Sequence, residues 1–521
     1  MSVLERFQPD NEIFRALTQI VGPERVSVAE LDRIAYATDC LPLTMIRKTE
    51  DRISDPPDYI VWPESTDEVV QIVRLANERD VPLVPFGAGS GVCGGTIPLA
   101  GGIVVDLKRL NKIISIDEQS MLVTVEAGII GEHLERELNR HGYTMGHFPS
   151  SVYCSTLGGH LAARSAGQLS TKYGKIEDIV VSIEAVLGEG TLIHTPTAPR
   201  MATGPDVMQA LVGSEGTLGF ITRATMRIWP VPPSRRFSSF KFKDAPSGVE
   251  AIRLCMRRDL RPAAIRLYDE FDTYLVGSGR TESSGEGVLD LLPVKRLGKA
   301  VGSLLPINRL TRFGSRLALS RTELINKVDR LTREGCLMVM TFEGDEAITA
   351  VEQELAEEIC LQCGGQHTGP GPARKWWEGR YHVSYNMSKV FYSGAFVDTC
   401  ELATAWDRID ELYVAVKEAL SPLVFVMAHF SHAYLDGCSI YFSFVGAGRN
   451  ATETERLYNQ VWEAAMGAAT KLNATISHHH GVGFLKSRWM PDEHNEALRI
   501  FRALKEICDP RGVMNPRKMG L

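Results

Sequence analysis

Glycine placement carries the first chemical signal in this chain. Phe86-Gly-Ala-Gly-Ser-Gly-Val-Cys-Gly-Gly-Thr96 sets Gly89, Gly91 and Gly94 at G-x-G-x-x-G spacing, a pattern that invites a dinucleotide. A Rossmann loop requires its last glycine to open a helix whose N-terminus holds the pyrophosphate. Here the chain runs on through Ile97-Pro98 and Gly101-Gly102 into a strand-like stretch, so that reading fails its context. A glycine loop outside that context can still bind phosphate, because successive bare N–H groups form an anion-binding nest that no Cβ obstructs. Three further segments share the character: Pro149-Ser-Ser-Val-Tyr-Cys-Ser-Thr-Leu-Gly-Gly-His160, which leads into a helix start, Arg164-Ser-Ala-Gly167, and Gly213-Ser-Glu-Gly-Thr-Leu-Gly-Phe-Ile221. Each taken singly is an ordinary tight turn. The combination calls for elements that bring four loops together.

Those elements can be read in outline. Residues 1–55 look helical and polar and end on the breaker Asp55-Pro56-Pro57. Tyr59 to Trp62 reads as a strand, Ser65 and Glu68 stand at capping-box spacing, and Val69, Ile72, Val73, Leu75 and Ala76 fall on one helical face. Pro82 to Pro85 returns as a strand, which gives a βαβ start. Several short strands follow between Ile103 and Gly128. Ile228-Trp-Pro-Val-Pro-Pro-Ser-Arg-Arg236 is a proline-rich breaker and marks a domain boundary. Beyond it, helices over Gly248 to Arg258 and Thr404 to Ala419 alternate with strands over Leu337 to Phe342 and Ser439 to Phe444. The expected fold class is α+β: a helical segment to 55, a two-subdomain cofactor domain over 56–235, a cap on an antiparallel sheet over 236–475, and a segment over 476–521 that returns to the site.

Composition narrows the function classes. The 521 residues are 44% hydrophobic and 23% charged with a net charge of -7, a soluble-enzyme balance without the basic footprint that nucleic acid demands. The N-terminus lacks the basic and apolar regions of a secretory signal, and no apolar run approaches the ~18 residues of a membrane helix, so a cytoplasmic protein is expected. The ten cysteines are scattered. Cys360 and Cys363 form one CxxC, read as two residues near the end of a helix closed by Gly364-Gly365 rather than as half of a zinc site. No metal is expected. Lys295, Arg296, Lys299, Arg309, Arg312, Arg316 and Arg321 alternate with apolar residues in a stretch without acids. Such a segment either lies on an anionic membrane surface, at about 1 kcal/mol per cation, or is a solvated surface excursion.

Order and wording of the motifs carry a resemblance. Pro-Glu-Ser-Thr-Asp-Glu-Val after Trp62, the first glycine loop, Ser155 to Gly159, Tyr173-Gly-Lys-Ile-Glu-Asp178 and Gly213 to Gly219 together resemble the FAD-binding domain of the vanillyl-alcohol-oxidase (PCMH-type) superfamily over residues 57–235. The resemblance implies that Gly87, Ala88, Gly89, Ser90 and Gly91 wrap the FAD pyrophosphate, with Pro85 and Phe86 leading into the site. It implies that Ser155, Thr156, Leu157, Gly158 and Gly159 line the flavin together with Arg164, Ser165, Ala166 and Gly167. Glu215, Gly216, Thr217, Leu218, Gly219, Phe220 and Ile221 would contact it from the other side. The first loop lacks the histidine of covalently linked members, and Cys93 and Cys154 are not at the expected linkage spacing, so non-covalent FAD is expected.

After residue 236 the chain resembles the alkyl-dihydroxyacetonephosphate synthase family, through Arg261-Pro-Ala-Ala-Ile-Arg266-Leu, Trp406-Asp-Arg408, Gly437-Cys-Ser-Ile-Tyr441-Phe and Ser477-His-His-His-Gly-Val-Gly483. That family exchanges the acyl group of an acyl-dihydroxyacetone phosphate for a long-chain alcohol through a flavin N5 adduct. The resemblance implies catalytic roles for Tyr441, Arg266, His478, His479 and His480. Tyr441 would exchange a proton if cations such as Arg266 lowered its pKa, and the histidines would bind the substrate anion or shuttle protons. The blander readings are a packed aromatic for Tyr441 and a structural ion pair for Arg266. Three successive histidines in an extended backbone face opposite ways and cannot share one metal, and a site joining His429 and His432 to His478 or His480 lacks a carboxylate at fitting spacing. Where the family pattern leads one to expect an Arg-Asp pair, the chain has Met387-Ser388, with Lys389 and Arg380 as substitutes. The alternative is a flavin dehydrogenase of 2-hydroxy acids or alcohols, with Arg266 for a carboxylate and His479 or Tyr441 as base, passing electrons to a quinone or iron-sulfur partner. A lipid or small-molecule substrate, a peripheral membrane contact through the basic segment 294–321 and a homodimer complete the expectations.

Overall fold

The computed structural model describes residues 9–48, 52, 56–270, 272–273, 335–381, 390–391 and 394–521. The basic stretch 295–321, Met387, Ser388 and Lys389 lie outside the described residues.

The first half is built from two sheets. Strands Tyr59–Val61, Ile103–Asp106 and Leu83–Phe86 pair in parallel, and Val26–Ser27 adds an antiparallel edge. The helix Thr66–Arg79 crosses between the first two of these strands in chain order and buries Val69, Ile72, Val73, Leu75 and Ala76 against them. Ser65 caps it by accepting from Glu68 N. The Glu68 carboxylate completes no capping box; it accepts from Glu64 N and from both Arg25 guanidinium nitrogens. The second sheet is antiparallel, in the order Ile113–Asp117, Leu122–Glu126, Gly219–Arg227, Val180–Leu187 and Leu192–His194.

The second half stands on a seven-stranded antiparallel sheet, in the order Gln366–His367, Ser234–Phe242, Cys336–Gly344, Ala264–Tyr268, Phe425–Ala433, Gly437–Gly446 and Phe396–Ala405. Its register places Tyr268 beside His429, His429 beside Tyr441, and Tyr441 beside Glu401, a polar row across four strands. One residue along, Leu267, Phe430, Ile440 and Leu402 form a parallel row. Strand side chains alternate between faces, so the second row belongs to the opposite face. There it is fully buried in the core that includes helices Ala245–Arg257, Ile409–Leu420 and Ala451–Lys471. Each such side chain contributes about 1.5–3 kcal/mol on burial, which fixes the register and so holds the polar row on the other face.

The expected helix from Thr404 begins later. Thr404 and Ala405 still pair with Cys438 and Gly437, and the helix proper is Ile409–Leu420. Cys360 is buried within the helix Glu346–Gln362 and Cys363 caps its end. Among the described residues no helix is long and apolar enough to cross a membrane.

The C-terminal segment closes the molecule back onto the first half. Leu83 N donates to Val513 O, and Asn515 N donates to Leu83 O. Asn515 Nδ2 bonds the carbonyls of Gly95 and Glu215, and buried Lys518 bonds Ile97 O. The Glu215 carboxylate accepts from Val482 N and Gly483 N, and Phe484 N and Leu485 N donate to Cys93 O. Gly483 has φ +52°, and a Cβ there would lie 2.0 Å from Cys93 O. Gly483→Ala is therefore expected to lower the thermal midpoint, with at least roughly 1–3 kcal/mol lost to backbone strain alone. Calorimetry of the purified variant checks this, and an unchanged midpoint would disprove the tight docking.

Candidate active site

The glycine loops converge on one another before they meet any ligand. A Cβ at Gly87 would approach Thr156 Oγ1 to 2.3 Å, and one at Gly216 would approach the Pro85 ring to 2.6 Å. Loops 86–96, 155–159 and 213–219 are thus packed edge to edge. Gly91 differs: a Cβ there meets only Asp39 Oδ2, at 3.9 Å. Buried Asp39 Oδ2, Thr96 Oγ1 and Asn515 Oδ1 have no hydrogen-bond partner among the described residues. Burial pushes Asp39 up to about 7, so its carboxyl need not oppose a diphosphate with full charge. Bare backbone beside unpaired polar atoms fits a dinucleotide: Thr96 Oγ1 can donate to a phosphate oxygen, and a hydroxyl or ring N–H of the cofactor can donate to Asn515 Oδ1.

The expected lining residues divide by where their side chains go. Leu157, Leu218 and Phe220 are buried in apolar cores, so only their backbones remain for a cofactor. Phe86 packs against Tyr36, with Lys108 over its ring. Thr217 donates to Ser214 O. Arg164 bonds the carbonyls of Val212 and Gln209, a loop-tying role rather than a free cation. Ser155 and Ser165 are held by buried histidines, with Ser155 Oγ 2.6 Å from His160 Nε2 and Ser165 Oγ 2.7 Å from His147 Nε2.

Above this lies the polar face of the seven-stranded sheet. Tyr441 is sandwiched, with the His429 ring stacked at 4.9 Å and the His479 ring at 6.0 Å, while His480 meets it edge-on at 5.5 Å. The 477–483 segment is a turn rather than an extended strand, and this overturns the expectation that the three histidines diverge. Gly481, at φ +81°, lets the chain fold back. His478 and His479 bring their Nδ1 atoms to 2.9 Å, and His479 and His480 pack at 4.5 Å. Lys175, from the Tyr173 to Asp178 motif, holds the turn by donating to His478 O.

Glu401 anchors the turn from below. It accepts from His480 N and Ser477 Oγ, lies 3.0 Å from His480 Nδ1, and takes both hydrogen bonds of Lys486 at 2.9 and 3.1 Å. Both members of the pair are fully buried. Burial alone would raise the Glu401 carboxyl, but His480 and Lys486 outweigh it and hold it well below its usual range. Sequence reading missed Glu401, Lys486 and Tyr434, and took Lys175 only as part of the Tyr173 to Asp178 motif. A lone acid in a strand and a lone lysine in a loop carry no motif; only the parity of Glu401 with Tyr441 across paired strands could have flagged it.

Protonation departs from the sequence expectation. Burial pushes the Tyr441 phenol up to about 12, and Arg266 offsets this only in part. Burial likewise pushes His478 down to about 3 and His429, His432 and His479 well below their ordinary value. These imidazoles are neutral at neutral pH, and the positive charges that act on His432 are those of Arg266 and of Lys175, which is itself paired with Glu177 at 2.9 Å. Arg266 sits 5.4 Å over Trp376. Burial also raises Asp272 to about 8, and it meets His429 Nδ1 at 3.4 Å as an uncharged acid. Among the described residues no group of three His, Cys, Asp or Glu is arranged to hold a metal. Arg380 stacks 3.8 Å over Trp377, and burial lowers its pKa.

A loop-built dinucleotide cradle under an antiparallel cap defines a flavoenzyme, and comparison with known proteins agrees. The FAD binding domain family matches residues 57–196, and the C-terminal domain of FAD linked oxidases matches residues 231–519. The chain belongs to the FAD-linked oxidase family and is an FAD-dependent enzyme. It is similar to the alkyldihydroxyacetonephosphate synthase of Dictyostelium discoideum, 28% identical over 519 residues, covering 98% of this chain and 80% of that protein. A solved alkyldihydroxyacetonephosphate synthase structure superposes with a TM-score of 0.78 at 25% identity, covering 99% of this chain and 87% of the other. The glycolate oxidase subunit GlcD of Bacillus subtilis is 26% identical over 511 residues, covering 98% and 96%.

The buried neutral histidines set a pH dependence. His147, His160, His429, His432, His478 and His479 all have lowered pKa values when folded. Below about pH 6.5 the unfolded chain binds protons that these folded histidines refuse, so their contribution is full above that pH and falls beneath it, and six such groups outweigh the opposite contribution of Asp39 and Asp272, whose raised values favour the fold as pH falls. The urea midpoint is expected to drop between pH 7.5 and 5.5, and a midpoint that rises would contradict neutral burial.

Proposed function

We propose that this enzyme exchanges the acyl group of an acyl-dihydroxyacetone phosphate for a long-chain alcohol, forming an ether. The observation that carries the reading is Tyr441 stacked with His429 and His479, with Arg266 two strands away across the same sheet, in a chain similar over almost its whole length to alkyldihydroxyacetonephosphate synthases. Bound non-covalently, FAD supplies the electrophilic and redox chemistry of its isoalloxazine ring. The protein's own residues divide the remaining work. Arg266 offers charge to the substrate phosphate, while the neutral imidazoles take up the proton of the incoming hydroxyl. Tyr441, protonated at neutral pH, donates a hydrogen bond to developing negative charge. The departing acid leaves as a carboxylate, so electrons balance without an external acceptor.

The test is the anaerobic flavin spectrum on adding palmitoyl-dihydroxyacetone phosphate and then hexadecanol. The oxidised absorbance is expected to fall with the first and return with the second, with ether product and no electron acceptor. An unchanged spectrum, with reduction by a 2-hydroxy acid instead, would replace this reading by a dehydrogenase. Tyr441→Phe is expected to keep FAD and lose on the order of 10²-fold in turnover. A variant with undiminished turnover would remove Tyr441 from the chemistry.

A further inference from the structure

Arg380 closes the helix Gly371–Gly379, which is tied to the cap sheet by Ala373 N donating to Ser239 Oγ. The two consecutive tryptophans of that helix each meet an arginine. Arg266 lies 5.4 Å from the Trp376 ring and Arg380 lies 3.8 Å from the Trp377 ring. A third guanidinium, that of Arg235, sits 4.1 Å from the Trp377 ring, but the Glu343 carboxylate accepts from its Nε and Nη2. Arg380 has no such acid. Among the described residues its guanidinium makes one hydrogen bond, from Nη1 to Trp377 O, and its buried Nε has no partner.

An arginine at a helix C-terminus is an ordinary partner for the last carbonyls. That role uses Nη1 alone. A guanidinium cannot shed its proton at neutral pH, so burial leaves a full positive charge in need of an anion. Contacts with the Trp377 ring and with the Tyr381 ring, at 4.4 Å, offset the lost hydration only in part, and burial still lowers the Arg380 pKa. The ionisable groups that act on it are Tyr381, Arg235 and Tyr153, none of them a carboxylate.

Its position suits a ligand. Gln168, one residue beyond the 164–167 flavin loop, donates from Nε2 to Arg380 O. Tyr153, from the 149–160 loop, is half exposed and packs edge-on against Tyr381 at 5.2 Å. Arg380 therefore stands in the seam between the flavin loops and the cap, beside a rim that opens to solvent.

We propose that Arg380 is a specificity-determining contact for the phosphate of the substrate, a second cation beside Arg266 carried by neighbouring indoles of one helix. It rests on the reading above, in which the substrate is a phosphate monoester. Such a group is close to a dianion with three acceptor oxygens, and a guanidinium fork matches it in charge and geometry. The step is binding alone, and no bond forms or breaks at Arg380.

Two variants separate charge from shape: Arg380→Gln removes the charge, and Arg380→Lys keeps it without the fork. With Arg380→Gln the KM for palmitoyl-dihydroxyacetone phosphate is expected to rise roughly 10- to 10²-fold, with kcat and the KM for hexadecanol near wild-type values. Arg380→Lys should recover part of the loss. An unchanged KM, or a fall confined to kcat, would overturn the contact. Inorganic phosphate tests the site apart from the reaction. At constant ionic strength it is expected to raise the unfolding midpoint of the wild-type holoenzyme, and to do so less with Arg380→Gln. No rise in the wild type, or an equal rise in both, would overturn the site even if ether synthesis stands. A rise that depends on Arg380 in an enzyme that makes no ether would instead sink the proposed reaction alone.

Discussion

The buried pair of Glu401 and Lys486 is the contact on which the upper half of the site depends. Two ions removed from water cost several kcal/mol each, and their attraction offsets this only when the remaining hydrogen-bonding capacity is filled. Glu401 fills its capacity with the 477–483 turn itself, through Ser477 and the His480 backbone. The turn is therefore the means by which the carboxylate is satisfied, and the carboxylate is what fixes the turn. Lys486, four residues beyond Val482, belongs to the same C-terminal segment, and its backbone N donates to Val482 O. Anchor and anchored piece come from one stretch of chain, seated on a strand some eighty residues earlier.

A second carboxylate works the same segment from the other half. Glu215 receives Val482 N and Gly483 N, while burial raises its pKa and those hydrogen bonds oppose the rise. The histidine turn is thus suspended between the cap sheet and the flavin loops. Tyr173 and Arg235 add a further tie by converging on the Glu343 carboxylate, which the cap sheet buries. Placement of the histidines over the cradle is then a consequence of two acids on two domains competing for neighbouring peptide groups.

Legibility in the sequence follows from how local each cause is. The helix Thr66–Arg79 was readable because its cap, periodicity and breaker are all within it. The glycine loops were readable as a set, and Gly87 and Gly216 confirm why glycine is needed, although it is protein rather than ligand that crowds them. The start of the helix after Trp406 was misplaced because Thr404 and Ala405 owe their strand conformation to Cys438 and Gly437, a pairing no local pattern reveals. The histidine triplet was legible as residues and illegible as geometry, since its fold-back requires Gly481 together with Glu401 from another strand. The phenol pKa went astray for the same reason: proximity of Arg266 could be guessed, but the burial that outweighs it could not.

Neutrality is what gives this histidine cluster its chemical character. Exposed imidazoles would have carried charge near neutral pH. Packed against Tyr441, one another and the bulged strand, the rings instead lose hydration that a charged form requires, and desolvation outweighs the pull of Glu401 on His478 and His479. Charge and basicity are thereby divided between different residues: Arg266 carries fixed charge, and the rings stay neutral. The backbone of His432, at φ +54° as the extra residue of a bulge between Ser431 and Ala433, fits this division, because a bulge that only completed a core would gain nothing from turning an imidazole toward two others.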